Sequence, residues 1–141
     1  MSAWCAVITR VARSSTPAPD ALPPVSGSAA TPVVAVDAMG GDTAPHVPVA
    51  GAVAAAKEGI RILLVGDSEA LEGELATHGD VPSGITVVHA SDRIHSAEDG
   101  VRAVRNKADA SMVVACRQVA EGNASAAISA GHTGAMLAAS T

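Results

Sequence analysis

Val33-Val34-Ala35-Val36-Asp37-Ala38-Met39-Gly40-Gly41-Asp42 is a β-branched apolar run that ends in an acid and passes into a Gly-Gly-Asp loop. Pro45 and Pro48 follow, either of which can sit in the first turn of a helix, where no backbone N–H is needed. The order strand, glycine loop, helix places uncovered N–H groups at the carboxyl end of a buried strand. Such N–H groups and the positive end of a helix dipole attract phosphate. A second stretch of the same kind lies near the end of the chain, where Ala126-Ala127-Ile128-Ser129 runs into Ala130-Gly131-His132-Thr133-Gly134-Ala135. Turn geometry accounts for any one of these glycines. Two such loops in one small unit point to an enzyme that handles a phosphate-bearing substrate.

Between the two loops, strand and helix signals alternate. Val49 to Lys57 is Ala-rich and reads as a helix closed by Gly59, and Ile60–Val65 reads as a strand ended by Gly66-Asp67. Asp67 or Ser68 caps a helix through Leu71 and Leu75, and Ile85–His89 is a third strand. Ser96-x-x-Asp99 has the form of a capping box ahead of a short helix carrying Val101 and Val104. Ser111 to Glu121 reads as a helix with Met112, Ala115 and Val119 inward, and Ala124–Ser129 is the fourth strand. Strands this apolar, separated by helices, imply a parallel sheet covered on both faces. The expected class is α/β, a doubly wound, Rossmann-like three-layer fold ending after about four strands. Ligands bind such sheets outside the carboxyl ends of the strands, which is where both glycine loops, Gly66-Asp67 and the segment Ala90–His95 fall.

Composition narrows the functions. The chain of 141 residues has room for one modest domain. It holds no Phe or Tyr and a single Trp, so its core must be aliphatic and no aromatic platform exists for stacking bases. The formal charge is −5, with Arg10 and Arg13 against Asp20 giving +1 over residues 1–32 and leaving −6 on residues 33–141. An acidic body without aromatics argues against nucleic acid as a partner. Cys5 and Cys116 form no metal-ligand or redox spacing, so neither a metal nor a cofactor is expected, and a reducing cytoplasm is the expected setting. Residues 1–32 are rich in Pro, Ser and Ala and read as an extension outside the fold. Arg10 and Arg13 follow the apolar opening instead of preceding it, the reverse of a secretory signal. No stretch reaches the roughly 18 apolar residues of a membrane span.

Four motifs, in order, resemble those of the bacterial phosphate acyltransferases of phospholipid synthesis, the PlsX family. Val36-Asp37-Ala38-Met39-Gly40-Gly41-Asp42-x-Ala44-Pro45 is similar to the family's opening, and Leu64-Val65-Gly66-Asp67 to its second strand. Val101-Arg102-Ala103-Val104-Arg105-x-Lys107-x-Asp109-x-Ser111-Met112 resembles its central basic motif, and Ser129-Ala130-Gly131-His132-Thr133-Gly134-Ala135 its Ser-Ala-Gly-Asn-Thr-Gly-Ala loop. This chain departs from the family at His132, where Asn is usual, near Gly100, where Pro is usual, and at Ala108 and Ala110, where Lys and Ser are usual. The resemblance spans about the first third of a family member, so the chain reads as an N-terminal fragment cut inside the helix after the last loop.

The resemblance implies transfer of a fatty acyl group from acyl carrier protein to inorganic phosphate, giving acyl phosphate. It also implies a homodimer, peripheral membrane association and a glycerol-3-phosphate acyltransferase as partner. Two other readings stay open, a phosphate acetyl- or butyryltransferase using coenzyme A and a truncated chain without function. The expected phosphate and substrate residues are Asp37, Gly40, Gly41, Arg102, Arg105, Lys107, Ser129, Gly131, His132, Thr133 and Gly134. Glycines let backbone N–H groups approach an anion, and Ser129 and Thr133 offer hydroxyl donors. Arg102 and Arg105 share a helix face and either meet phosphate, meet an acidic carrier, or pair with Glu98 and Asp99 in solvent. His132 acts as acid, base or simple donor. Asp42 is expected to cap, because a carboxylate repels a bound phosphate. The other histidines, His46, His78, His89 and His95, show no paired spacing, and Cys116 reads as core.

Overall fold

The computed structural model describes residues 31–141, and the extension expected over residues 1–32 lies almost wholly outside them. The elements run β1 (Val33–Asp37), α1 (His46–Lys57), β2 (Arg61–Gly66), α2 (Ser68–Thr77), β3 (Ile85–His89), α3 (Gly100–Asn106), α4 (Ser111–Ala120), β4 (Ala126–Ser129) and α5 (Thr133–Ala139). The strands form one sheet in the order β3-β2-β1-β4, with every pairing parallel. The chain winds outward from β1 through β2 to β3, then returns over the sheet by α3 and α4 to lay β4 on the other side of β1. This is the expected α/β architecture, and its strand order reverses between β1 and β4, the place where such sheets open a crevice.

Successive strand residues face opposite ways, so the aliphatic run in β2 feeds two cores. Leu64 joins Val49, Val53, Leu71 and Leu75 under α1 and α2, while Val65 joins Met112, Ala115, Val119 and Met136 under α4 and α5. Burying each of these Leu or Met side chains contributes about 1.5–3 kcal/mol. Small residues on β1 and β4, Ala35 and Ala127, let α4 lie close across the sheet without aromatic filling.

The cover is less complete than the sequence suggests. Beside α1, a groove of about 220 Å³ lined by Val34, Val36, Val47, Ile62 and Ile128 leaves part of the β1–β4 surface open. Helix starts also differ in detail. α1 begins at His46, three residues before the Ala-rich run, with Pro48 in its first turn. Asp67 caps α2, its carboxylate accepting from Ala70 N at 2.9 Å. The capping box does not form as expected, because α3 starts at Gly100 and Asp99 itself is the cap, accepting from Arg102 N at 2.9 Å. Val101, on that short helix, is 51% exposed. Among the described residues no helix is long and apolar enough to cross a membrane.

Candidate functional site

The carboxyl ends of β1 and β4 lie side by side, with Asp37 and Ser129 in register. The Ser129 hydroxyl donates to Asp37 Oδ2 at 2.6 Å and accepts from Gly131 N at 3.0 Å, while Asp37 Oδ1 accepts from Met39 N at 3.2 Å. One buried acid and one buried serine thus tie the first glycine loop to the second. Burial raises the Asp37 carboxyl above its ordinary pKa of 3.8, against the opposing pull of hydrogen bonds from Ser111, Ser129 and the backbone.

The glycines of this junction are set by how closely the two loops meet. A Cβ on Gly40 would lie 2.5 Å from Asp37 Oδ2 and 2.8 Å from Ser129 Oγ, and one on Gly131 would lie 3.3 Å from Gly40 Cα. Gly41 has φ +94°, a conformation side chains rarely adopt. A second close crossing lies behind the loops, where a Cβ on Gly100 would meet Gly134 and Ala135 backbone within 3 Å, so α3 and α5 pack backbone to backbone.

In front of the junction is a polar cleft of about 440 Å³. Met39, Gly41 and Asp42 form one wall, Ala130, Gly131 and His132 another, and Arg93, Ile94, His95 and Ser96 from the segment after β3 the third. The His132 ring caps α5, its Nδ1 accepting from Ala135 N at 3.2 Å. A neutral imidazole held in this way carries its proton on Nε2, so His132 keeps one donor free of the cap, the capacity an amide side chain would bring.

The structure brings some of the expected residues together and separates others. Gly41, Gly131 and His132 line the cleft, while Asp37, Gly40 and Ser129 form the buried tie beneath it. Thr133 and Gly134 open α5, and both are exposed. Arg102 and Arg105 are exposed on α3, and neither lines the cleft. Arg105 instead borders a separate depression with Val101, Val104, Leu137 and Ala138. Among the described residues neither arginine is in an ion pair. Lys107 takes Glu98 instead at 3.0 Å, with Asp92 at 3.5 Å, and donates to the Arg93 carbonyl at 2.9 Å. Those partners hold the Lys107 ammonium above its usual pKa and the Glu98 carboxyl, helped first by the His95 N–H, below its own.

Sequence reading placed the segment after β3 on the correct edge of the sheet but named none of its residues as site residues. Arg93 and His95 line the cleft; only their position after a parallel strand could have marked them. One other finding departs from expectation. His46 and His78 do meet, their rings stacked 6.5 Å apart and both approaching Glu74, because α1 and α2 pack side by side. Cys116 is core, as expected, with its thiol 3.8 Å from Met136 Sδ and its pKa raised by burial and then by the nearby Asp37 charge.

The geometry is that of an α/β domain with a parallel sheet, two glycine loops tied at its switch point and a polar cleft in front of them. Comparison with known proteins gives the family. The family described as "Fatty acid synthesis protein" matches residues 33–141, and the chain belongs to that family. It is 51% identical over 107 residues to a phosphate acyltransferase of Geotalea daltonii, a match covering 75% of this chain and 31% of that protein. It is 48% identical over 108 residues to a phosphate acyltransferase of Bacillus cereus strain B4264, covering 75% of this chain and 32% of that protein. The chain therefore spans about a third of the length of the curated relatives it matches.

Proposed function

We propose that the chain serves transfer of a fatty acyl group from acyl carrier protein to inorganic phosphate. A phosphate oxygen attacks the thioester carbonyl, the carbon–sulfur bond breaks, and the carrier's thiolate takes up a proton as acyl phosphate leaves. That reaction needs a held phosphate and donors for the developing oxyanion. The observation that carries the proposal is the polar cleft between the two tied glycine loops, in a chain whose relatives are phosphate acyltransferases.

The loops supply backbone N–H groups, and His132 supplies a ring donor. The fixed Asp37–Ser129 tie keeps both loops from having to reorganise as charge develops. The exposed face of α3 and α5, with Arg102, Arg105, Val101 and Leu137, suits an acidic carrier with an apolar centre. A homodimer, contact with a membrane surface and a glycerol-3-phosphate acyltransferase partner belong to the same reading.

The test is trapping of acyl phosphate as the hydroxamate after incubating the protein, both as this chain and extended to the length of its relatives, with acyl carrier protein thioester and phosphate. Product that depends on phosphate and on the carrier supports the proposal. Product only with acyl-coenzyme A moves the donor to coenzyme A, and none from the extended protein with either donor overturns the proposal.

A further inference from the structure

The cleft proposed above to hold phosphate is lined by Asp42, so an anion there requires a compensating positive charge. The basic cluster that stands out in the sequence does not provide it. Arg102 and Arg105 lie on the exposed side of α3, outside the cleft, and the Lys107 ammonium is turned onto Glu98, Asp92 and the Arg93 carbonyl. Arg93 is the only Lys or Arg among the residues lining the cleft, and among the described residues its guanidinium enters no ion pair.

The segment that carries Arg93 has little regular structure, yet it is fastened at several points. Arg93 N donates to Asp92 Oδ1 at 2.7 Å, Asp92 bridges to Ala110, and His95 N donates to Glu98 Oε1 at 2.8 Å. Ile94 is buried between Arg93 and His95, so those two flanking residues are left at the surface. Lys107 gathers these fastenings, because one ammonium touches the Asp92 and Glu98 carboxylates and the Arg93 carbonyl at once.

We infer that Arg93 supplies the positive charge of the phosphate site and that Lys107 acts through it, as a positioning residue that clamps the Asp92–Glu98 segment over the cleft. The inference rests on the phosphate reading of the cleft and adds to it the cation and the device that holds that cation. A guanidinium suits the task, since its planar fork donates two parallel hydrogen bonds to one phosphate and keeps its charge at any working pH.

A double-substitution cycle tests it, with inorganic phosphate as probe and titration calorimetry on the full chain as readout. Arg93→Gln should weaken phosphate binding by about tenfold to a hundredfold, the loss of one charge-assisted contact. Lys107→Met should weaken it by a similar factor in the parent protein but by less than about twofold when Arg93→Gln is already present, because its effect passes through Arg93. Lys107→Arg should restore most of the binding. Amide exchange at Arg93 and His95 should quicken in Lys107→Met and not in Arg93→Gln.

Independent, multiplying losses would put the Lys107 ammonium on the phosphate itself and overturn the inference. So would unchanged binding in Arg93→Gln, which leaves the phosphate reading standing. Absence of any phosphate binding by the parent chain would remove both. Unaltered exchange of the segment in Lys107→Met would remove the clamp.

Discussion

Ser129 donates its hydroxyl hydrogen to Asp37 across 2.6 Å, although the two residues are 92 positions apart in sequence. Their contact marks the register between β1 and β4, and both glycine loops hang from it. The junction is therefore as much a folding element as a site element. Predictions about it need readouts that separate the two.

The loops meet too closely for a side chain at Gly40. Gly40→Ala should destabilise the fold by about 1–3 kcal/mol, the usual cost of overpacking, since its Cβ would come within 2.5 Å of a carboxylate oxygen. Gly51, inside α1, has nothing within 4 Å of such a Cβ. Gly51→Ala should stabilise by about 0.5–1 kcal/mol through helix propensity alone. Urea unfolding of both variants measures the contrast, and equal signs would refute the packing argument.

Asp37 is an acid whose pKa rises on folding, chiefly through burial. In the pH window between its ordinary value of 3.8 and its folded value, the native state binds the extra proton, so stability falls as pH rises through that window. Asp37→Asn keeps an acceptor for Met39 N and removes the titration. Melting temperatures taken from pH 4 upward should lose this component of their slope in the variant. An unchanged slope would mean that Asp37 ionises in the native state as it does in the unfolded chain.

Arg105 lies with Val101 and Leu137 on the α3–α5 face and outside the cleft. In the protein extended to the length of its relatives, Arg105→Ala should raise the apparent constant for acyl carrier protein, lower its salt dependence and leave that for phosphate alone. A rise confined to phosphate would bring Arg105 back to the anion.

The Cys116 thiol is buried, and burial lifts its pKa further from neutrality. In a Cys5→Ser background, a thiol reagent should react with Cys116 at the rate of unfolding and not at the rate of an open thiol. Fast labelling of the native protein would show that the α4–α5 packing opens readily.

Strand and helix order was legible in the sequence because the evidence for it is local. Val33–Val36 and Leu63–Val65 are aliphatic runs, Asp67 is a short acceptor before an amphipathic segment, and Met112, Ala115 and Val119 recur at helical spacing. The glycine loops were legible for the same reason. The roles of the charged residues were not, because a charge finds its partner in space. Lys107 and the arginines of α3 share one motif, yet Lys107 turns back to Asp92 and Glu98 while Arg105 turns outward. The His46–Glu74–His78 contact depends on how α1 and α2 pack, and the open groove at Val36 and Ile128 on which strands neighbour one another. Apart from the i,i+4 step from Glu74 to His78, neither relation has a spacing that could announce it.

The strand order also sets a timetable. β1, β2 and β3 are neighbours in both sequence and sheet, so each can pair with the one before it once a single crossover helix, α1 or α2, has been made. β4 reaches β1 only after the longer return over α3 and α4, a closure that costs more chain entropy than the two before it. Until then Asp37 has no Ser129 hydroxyl to accept a hydrogen bond from, and one wall of the cleft is missing. Among the described strands, three can thus pair before β4 brings the second wall of the cleft into place.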